Sequence, residues 1–299
     1  MVSDGSGGPG EPGAASSLYM TSTRTGRSRQ RGCHFAHHAA VSGELRGSIV
    51  VLDFGRAARA HRRFGVSLFG NGFRSTRAVA GAAEAYAAGY ATCARRAHGA
   101  HLVLALGTSN YGGLVSWRHG VEWASMVNDV SDWVGAHGYS GGVAVAGAID
   151  MELGWSGPRH SRWWTNGYGS VAEHPYFDFG DAAGCPPIGN CIGAWTVEDV
   201  WYVSWGARWA LPLPEIYAPN GSSAREWQRL SLYSERRHGT AMTIAGVMSQ
   251  HTACRQSRDP CWGMNNSPAR AWRLLSRALN SDRRTAQPLR WLTDVRWDR

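Results

Sequence analysis

Residues 143–155 read Val-Ala-Val-Ala-Gly-Ala-Ile-Asp-Met-Glu-Leu-Gly-Trp. A strand alternates its side chains between two faces, so Ala144, Ala146, Ala148, Asp150 and Glu152 fall on one side. Val143, Val145, Ile149 and Met151 fall on the other. One face is small and ends in two carboxylates; the opposite face is bulky and apolar. That division suits a parallel barrel strand whose bulky face packs outward on helices and whose small face delivers acids to a pocket at its carboxyl end. The plainer alternative is a half-buried strand whose two acids are simply solvated at a loop.

From residue 48 onward the chain alternates strand, loop and helix. Strands are expected at 49–55, 101–107, 143–150, 176–181, 200–205, 213–217, 242–250 and 289–294. Helices are expected at 75–93, 116–137, around Arg162–Trp164, at 223–238 and from 267 to about 279. Ser75 or Thr76, Ser223 with Glu226, and Ser267-Pro268 supply start signals, and Gly138 and Gly239 supply stops. Eight strands mostly separated by helices is the arithmetic of an α/β protein of the (β/α)8 TIM-like barrel type. A doubly wound open sheet is the runner-up, but no glycine-rich fingerprint follows the strand at 49–55. Phe69-Gly-Asn-Gly reads as a tight turn before an anion site. Residues 1–47 are rich in Gly, Ser, Pro and Arg, with no apolar segment and no legible signal peptide. They read as a disordered tail, leaving 48–299 as a single barrel domain.

The chain has 299 residues, 43% of them hydrophobic and 18% charged, enough to bury a sizeable core. No apolar run reaches the roughly 18–20 residues of a membrane span. The formal charge of +9 comes entirely from Arg, with no Lys, and the arginines are scattered apart from 24–31, 95–96 and 283–284. A nucleic-acid binder would concentrate them on one element, so no nucleic-acid partner is expected. The 15 Trp are more telling, because exposed rings interleaved with carboxylates are the equipment of sugar-binding clefts.

Of the six cysteines, Cys185 and Cys191 bound one short turn-rich segment, and Cys254 and Cys261 bound another. Each pair is expected to close a local disulfide, stiffening its loop by roughly 2–3 kcal/mol and pointing to an oxidising, secreted or cell-surface setting. Neither has the spacing of a zinc site. Cys33-His34-Phe-Ala-His37-His38 has metal-ligand chemistry but sits in the expected tail, and the states of Cys33 and Cys93 are left open. Neither metal nor cofactor is expected, and the chain is expected to act as a monomer.

The strand ends carry Asp53, Asp150, Glu152, Asp178, Asp181, Glu215 and Asp294. In a barrel all of these would converge on one mouth, where barrel enzymes keep their active sites. Crowded carboxylates repel one another, which raises the pKa of at least one and lets it act as a general acid beside an ionised partner. Glu152, farthest along its strand, is expected to be the acid, with Asp150 beneath it tuning its charge. Glu215 and Asp178 are the candidates for the second carboxylate. Asp53, Asn110, Tyr111, Trp155, Tyr217, Gln250, Asn265 and Asp294 are the candidates to orient hydroxyls or stack on sugar rings.

Leu-Asp-Phe-Gly at 52–55, Leu-Gly-Thr-Ser-Asn-Tyr-Gly at 106–112 and Asp-Met-Glu-Leu-Gly-Trp at 150–155 carry a resemblance. So do Phe-Asp-Phe-Gly-Asp-Ala-Ala-Gly-Cys-Pro-Pro at 177–187 and Asn-Asn-Ser-Pro at 265–268. Over about residues 48–297 the chain resembles a group of uncharacterised, mostly secreted actinobacterial proteins. More distantly it is similar to the family 25 lysozyme-like glycoside hydrolases, whose barrels end the first strand in Asp and carry Asp-x-Glu on a later one. Asp53 and Asp150/Glu152 match those positions, and the resemblance implies that Glu152 is the catalytic acid. The surrounding family motifs have no clear match here, and the loops are longer and cysteine-bearing. The expected function is hydrolysis of cell-wall or environmental polysaccharide, with a non-catalytic carbohydrate-binding barrel as the alternative.

Overall fold

In the computed structural model residues 12–42, 47–94, 101–257 and 261–299 are described. Eight of its strands run parallel around a nearly closed barrel. In chain order they are β1 (Ala15–Tyr19), β2 (Ser48–Ala60), β5 (Leu102–Ser109) and β6 (Val143–Asp150), then β7 (Tyr176–Asp178), β8 (Ala210–Pro212), β9 (Gly246–Ser249) and β10 (Trp291–Trp297). Each pairs with the next barrel strand in this order except β8 with β9, and β10 returns to β1 from Ala15↔Thr293 to Tyr19↔Trp297. The seam between β8 and β9 is spanned by Ala245 N–H to Pro212 O, Met248 N–H to Pro214 O and Ile216 N–H to Met248 O, all 2.9–3.0 Å. Pro212 and Pro214 lack the donors that a regular ladder needs there.

Helices cover the outside: α1 (Thr25–Ser42), α2 (Thr76–Ala94), α3 (Trp117–Ala136), α4 (Pro158–Val171), α5 (Val197–Trp201), α6 (Ser222–His238), α7 (His251–Gln256) and α8 (Pro268–Asn280). Among the described residues no helix is long and apolar enough to cross a membrane. The core has two layers. Ile49, Val51, Ala105, Ala146, Ala148, Phe177 and Val295 fill the barrel, while Val50, Leu104, Val145, Ile149 and Trp164 lie between barrel and helices. The small-inward, bulky-outward reading of residues 143–151 therefore holds, because a narrow barrel centre has room for alanines where the helix layer needs branched side chains.

The expected tail is corrected. Residues 1–11 and 43–46 lie outside the described residues, but 15–42 form the first barrel strand and helix. Ser17 is fully buried, bonding Thr293 Oγ1 at 2.7 Å and accepting from Val51 N at 2.8 Å. Its hydroxyl closes the barrel where a tail was expected. The strand expected at 200–205 is corrected too, since that stretch is α5 followed by a π-helical turn at Tyr202–Gly206. Thr196 and Asp199 form a reciprocal capping box there, and Val197, Val200 and Val203 recur at helical spacing on the buried side. The box expected at Ser223 and Glu226 does not form. Left-handed Gly221 occupies the N-cap, and Glu226 instead accepts from Gly184 N at 3.1 Å.

Beyond the barrel, β2 continues into an antiparallel hairpin with β3 (Arg63–Leu68), which pairs in turn with β4 (Gly72–Ser75). Residues 69–71 form the tight turn expected from sequence, closed by Asn71 N–H to Leu68 O at 3.3 Å. Helices α1 and α2 approach at backbone distance, since a Cβ at Gly32 would overlap the Tyr86 carbonyl and one at Gly89 the Arg29 carbonyl.

Three disulfides staple the fold: Cys185–Cys191 after β7, Cys254–Cys261 after β9, and Cys33–Cys93 joining α1 to α2. The first two are the expected local loops. The third spans 60 residues, so on the chain-entropy relation it constrains the unfolded chain by about 4 kcal/mol, more than either local loop. A Cys33→Ser/Cys93→Ser protein is expected to lose about that much stability in denaturant titration, and a loss under 1 kcal/mol would refute that role.

Candidate active site at the barrel mouth

Strand alternation sorts the acids. On β2, Ile49 and Val51 point into the barrel, and Asp53 follows them. On β6, Ala146 and Ala148 lead to Asp150 in the same way, and past β8 inward Leu213 leads to Glu215 and Tyr217. Glu152 lies two residues beyond Asp150, in the loop that follows the strand. Carboxylate oxygens of Asp150, Glu152 and Glu215 all lie within 4.8 Å of one another. Asp181 joins them from the loop after β7, accepting from Leu153 N at 3.3 Å and adding its charge to Glu152.

Asp178 and Asp294 do not join that face, contrary to the expectation that all strand-end acids converge. Phe177 and Phe179 fill the barrel, so Asp178 faces the helix layer, where Ser204 Oγ and Gly180 N donate to it. Asp294, between inward Thr293 and Val295, accepts from Ser249 Oγ and from the first backbone N–H groups of α7, at His251 and Thr252. Its role is a helix-terminal cap.

Burial dominates the electrostatics. It lifts Asp53 to about 7, against one backbone hydrogen bond from Gly55 that pulls the other way. Burial, then the charges of Glu152, Asp53, Asp178 and Asp181, hold Asp150 well above the usual carboxylate range. Glu152 is pushed up to about 8 by burial and the charge of Asp181. Glu215 is raised by burial and by Asp150 and Glu152, while the Tyr217 hydroxyl, donating to its Oε1 at 2.6 Å, opposes the shift. Among the described residues no Arg or His lies within 4.0 Å of these carboxylates. Asp150 Oδ1 is buried without a hydrogen-bond partner. Unpaired buried carboxylates of this kind hold protons at neutral pH, or meet a ligand that supplies a proton or a charge.

Other candidates divide by what they touch. Asn110 is fully buried, and its amide donates to Glu152 O at 3.0 Å and accepts from Glu152 N at 3.2 Å, so it clamps the Glu152 backbone. Tyr111 and Trp155 are 48% and 38% exposed, with ring centroids 5.3 Å apart and edge to face, forming an aromatic corner beside the acids. Gln250 is committed to Met264 O at 2.7 Å, and the Asn265 carbonyl is held by the His251 ring. Trp123, Trp164, Trp195 and Trp227 are fully buried, so much of the Trp content is core. Sequence reasoning missed Tyr19, which lies in the expected tail; burial, and then the charges of Glu215, Asp150 and Asp53, raise its hydroxyl pKa, which places it among the acids.

A single hard cation could be held by Asp150, Glu152 and Glu215, whose oxygens converge as such an ion requires. Cys33, His37 and Cys93 also lie together, but both sulfurs are committed to the disulfide and offer no thiolate. Compared with known proteins, the chain matches no protein-family model and no curated protein.

Proposed function

We propose that this protein is a glycoside hydrolase acting on cell-wall or environmental polysaccharide, with Glu152 as general acid and Glu215 as the partner carboxylate. The observation that carries this reading is the approach of Asp150, Glu152 and Glu215 within 4.8 Å, with Asp150 and Glu215 buried, Glu152 half-buried, and none of them beside a basic partner. A pair so close works with one proton between its members. The Tyr217 hydroxyl stabilises charge on Glu215, while burial and the hydrogen bond between the two carboxyls favour the proton there. These roles therefore require the shared proton to pass to Glu152 when substrate binds. Glu152 then protonates the glycosidic oxygen while Glu215 attacks the anomeric carbon. The resulting ester is opened by water that gives its proton to Glu152. Three disulfides support a secreted or cell-surface protein. The Asp-x-Glu likeness to family 25 lysozyme-like enzymes supports the same assignment.

Carboxyls this close leave no room for a water between them, which is the retaining arrangement. Proton NMR of fresh digests from a panel of peptidoglycan, chitin, glucans and acidic polysaccharides is expected to show the first-formed product with the substrate's anomeric configuration. An inverted product would remove Glu215 as nucleophile. Binding without turnover across the panel would favour the non-catalytic alternative.

A further inference from the structure

Beside the carboxylates lies a cleft of about 500 Å³, within the usual size of small-molecule sites. Its walls include Phe69, Tyr111 and Trp155, with Ser67 and Ser109 as hydroxyl groups; among the described residues Arg56 is the charged one and no acid lines it. Strict alternation from inward Asp53 would send Arg56 to the outer face of β2. A β-bulge prevents this. Asp53 pairs with Gly107, but Arg56 pairs with Ser109, so β2 holds one extra residue. Gly55 adopts φ +90° within it, and a Cβ there would come 2.6 Å from Ser67 O. Only glycine fits this close approach, and the bulge turns Arg56 into the cleft.

The register continues across four strands, from Ser67 through Arg56 and Ser109 to Asp150. Adjacent strands are about 4.8 Å apart, so Arg56 stands about two spacings, roughly 10 Å, from Asp150 along one row. Asn110 N–H to Asp150 O and Trp155 N–H to Glu152 O tie the cleft wall to the acid-bearing segment. The Arg56 guanidinium lies 5.9 Å from the Tyr111 ring centre and makes no hydrogen bond or ion pair with a described residue. An unpaired cation that the backbone is bent to present, next to carboxylates that repel anions, serves an anionic ligand.

We infer that this cleft is a subsite for a carboxylated sugar, with Arg56 gripping the carboxylate and the Tyr111–Trp155 corner contacting the ring. The inference rests on the carbohydrate reading of the mouth and names its substrate class. A planar guanidinium matches a carboxylate through two parallel hydrogen bonds. One positive charge balances a singly charged sugar acid, whereas a phosphate dianion would leave a second negative charge facing the mouth.

The test is calorimetric binding of hexuronate oligosaccharides, each paired with its carboxyl-reduced twin, to the wild-type, Arg56→Gln and Arg56→Lys proteins. Muramyl and sulfated oligosaccharides are further arms. The wild type is expected to bind the acid at least tenfold more tightly than its twin, as a charge-assisted pair of hydrogen bonds provides. Arg56→Gln is expected to abolish that preference while binding the reduced twin within twofold of wild type, and Arg56→Lys to keep part of it. The muramyl arm identifies a lactyl carboxylate as the source if it alone shows the preference. Equal affinity for acid and twin, a preference that survives Arg56→Gln, selectivity for the sulfated arm alone, or no binding of any carboxylated sugar would each overturn the inference. Acid preference without turnover leaves this subsite standing and removes the hydrolase reading; turnover without acid preference does the reverse.

Discussion

At pH 8 the Asp150→Asn and Glu152→Gln proteins are expected to melt above the wild type, with the gap closing as the pH is lowered. Asp53, Asp150, Glu152, Asp178, Asp181 and Glu215 all hold their protons more tightly than exposed carboxyls do, chiefly through burial. Below about pH 4 these groups are protonated in both the folded and unfolded chain, and folding carries no penalty from them. As the pH rises the unfolded chain ionises first, so stability falls until the folded groups release their protons. That release comes at about 7 for Asp53 and Asp178 and at about 8 for Glu152.

His119 opposes this at lower pH. Burial holds its pKa down to about 4, with Trp164 Nε1–H donating to Nδ1, so between about 4 and 6.5 it makes stability rise with pH. The window from pH 6.5 to 8 is therefore where the carboxyls are read cleanly. Their combined effect is a Tm that falls as the pH rises through this window. Scanning calorimetry of the three proteins checks it, and a wild-type Tm that stays flat or rises between pH 6.5 and 8 would sink the buried-proton account. A functional cluster held against stability is the usual form of this trade-off.

The second large effect concerns catalysis. Glu152→Gln removes a transferable proton without changing shape, so turnover is expected to fall by roughly 10²–10⁴-fold, the range of a lost general acid. Glu215→Gln removes the attacking carboxylate and is expected to lose at least as much. Because both substitutions relieve crowding, neither loss will trace to unfolding, and Tm measured on the same samples separates the two causes. Substrates with good leaving groups need less protonation. They are expected to recover much of the Glu152→Gln deficit and none of the Glu215→Gln deficit. Equal recovery in both variants would reverse or remove these roles.

The barrel was legible because its strands alternate small and bulky residues and its helices carry start and stop signals, as at Ser267, Gly138 and Gly239. The count of eight came out right although β1 was missed, 200–205 was misread, and the strand expected at 213–217 lies earlier, at Ala210–Pro212, with only an isolated bridge at Glu215. Ala15–Tyr19 is too polar and too close to a Gly/Ser-rich stretch to read as a strand, yet its neighbours across the ring pair with it and Ser17 supplies the buried hydrogen bonds. Residues 200–205 have the β-branched and aromatic composition of a strand, but the Thr196–Asp199 capping box starts a helix just before them. In both places a tertiary partner or a cap outweighed local propensity.

At the site, Asp53, Asp150 and Glu152 could be placed on one face by alternation alone. Asp178 could have been excluded by the same rule, since the phenylalanines on either side of it claim the inner face. The link between Glu152 and Glu215 was out of reach, because it depends on how the proline-interrupted segment after β8 crosses to β9. Arg56 was hidden for a related reason: a one-residue bulge inverts the face that alternation assigns to it.

The most direct test of the central claim measures new reducing ends released from the polysaccharide panel by the wild-type, Glu152→Gln and Glu215→Gln proteins at matched Tm. Turnover by the wild type and a loss of at least 10²-fold in both variants is the predicted result. Turnover that is the same in all three, or glycan binding by the wild type with no bond cleaved, would contradict it.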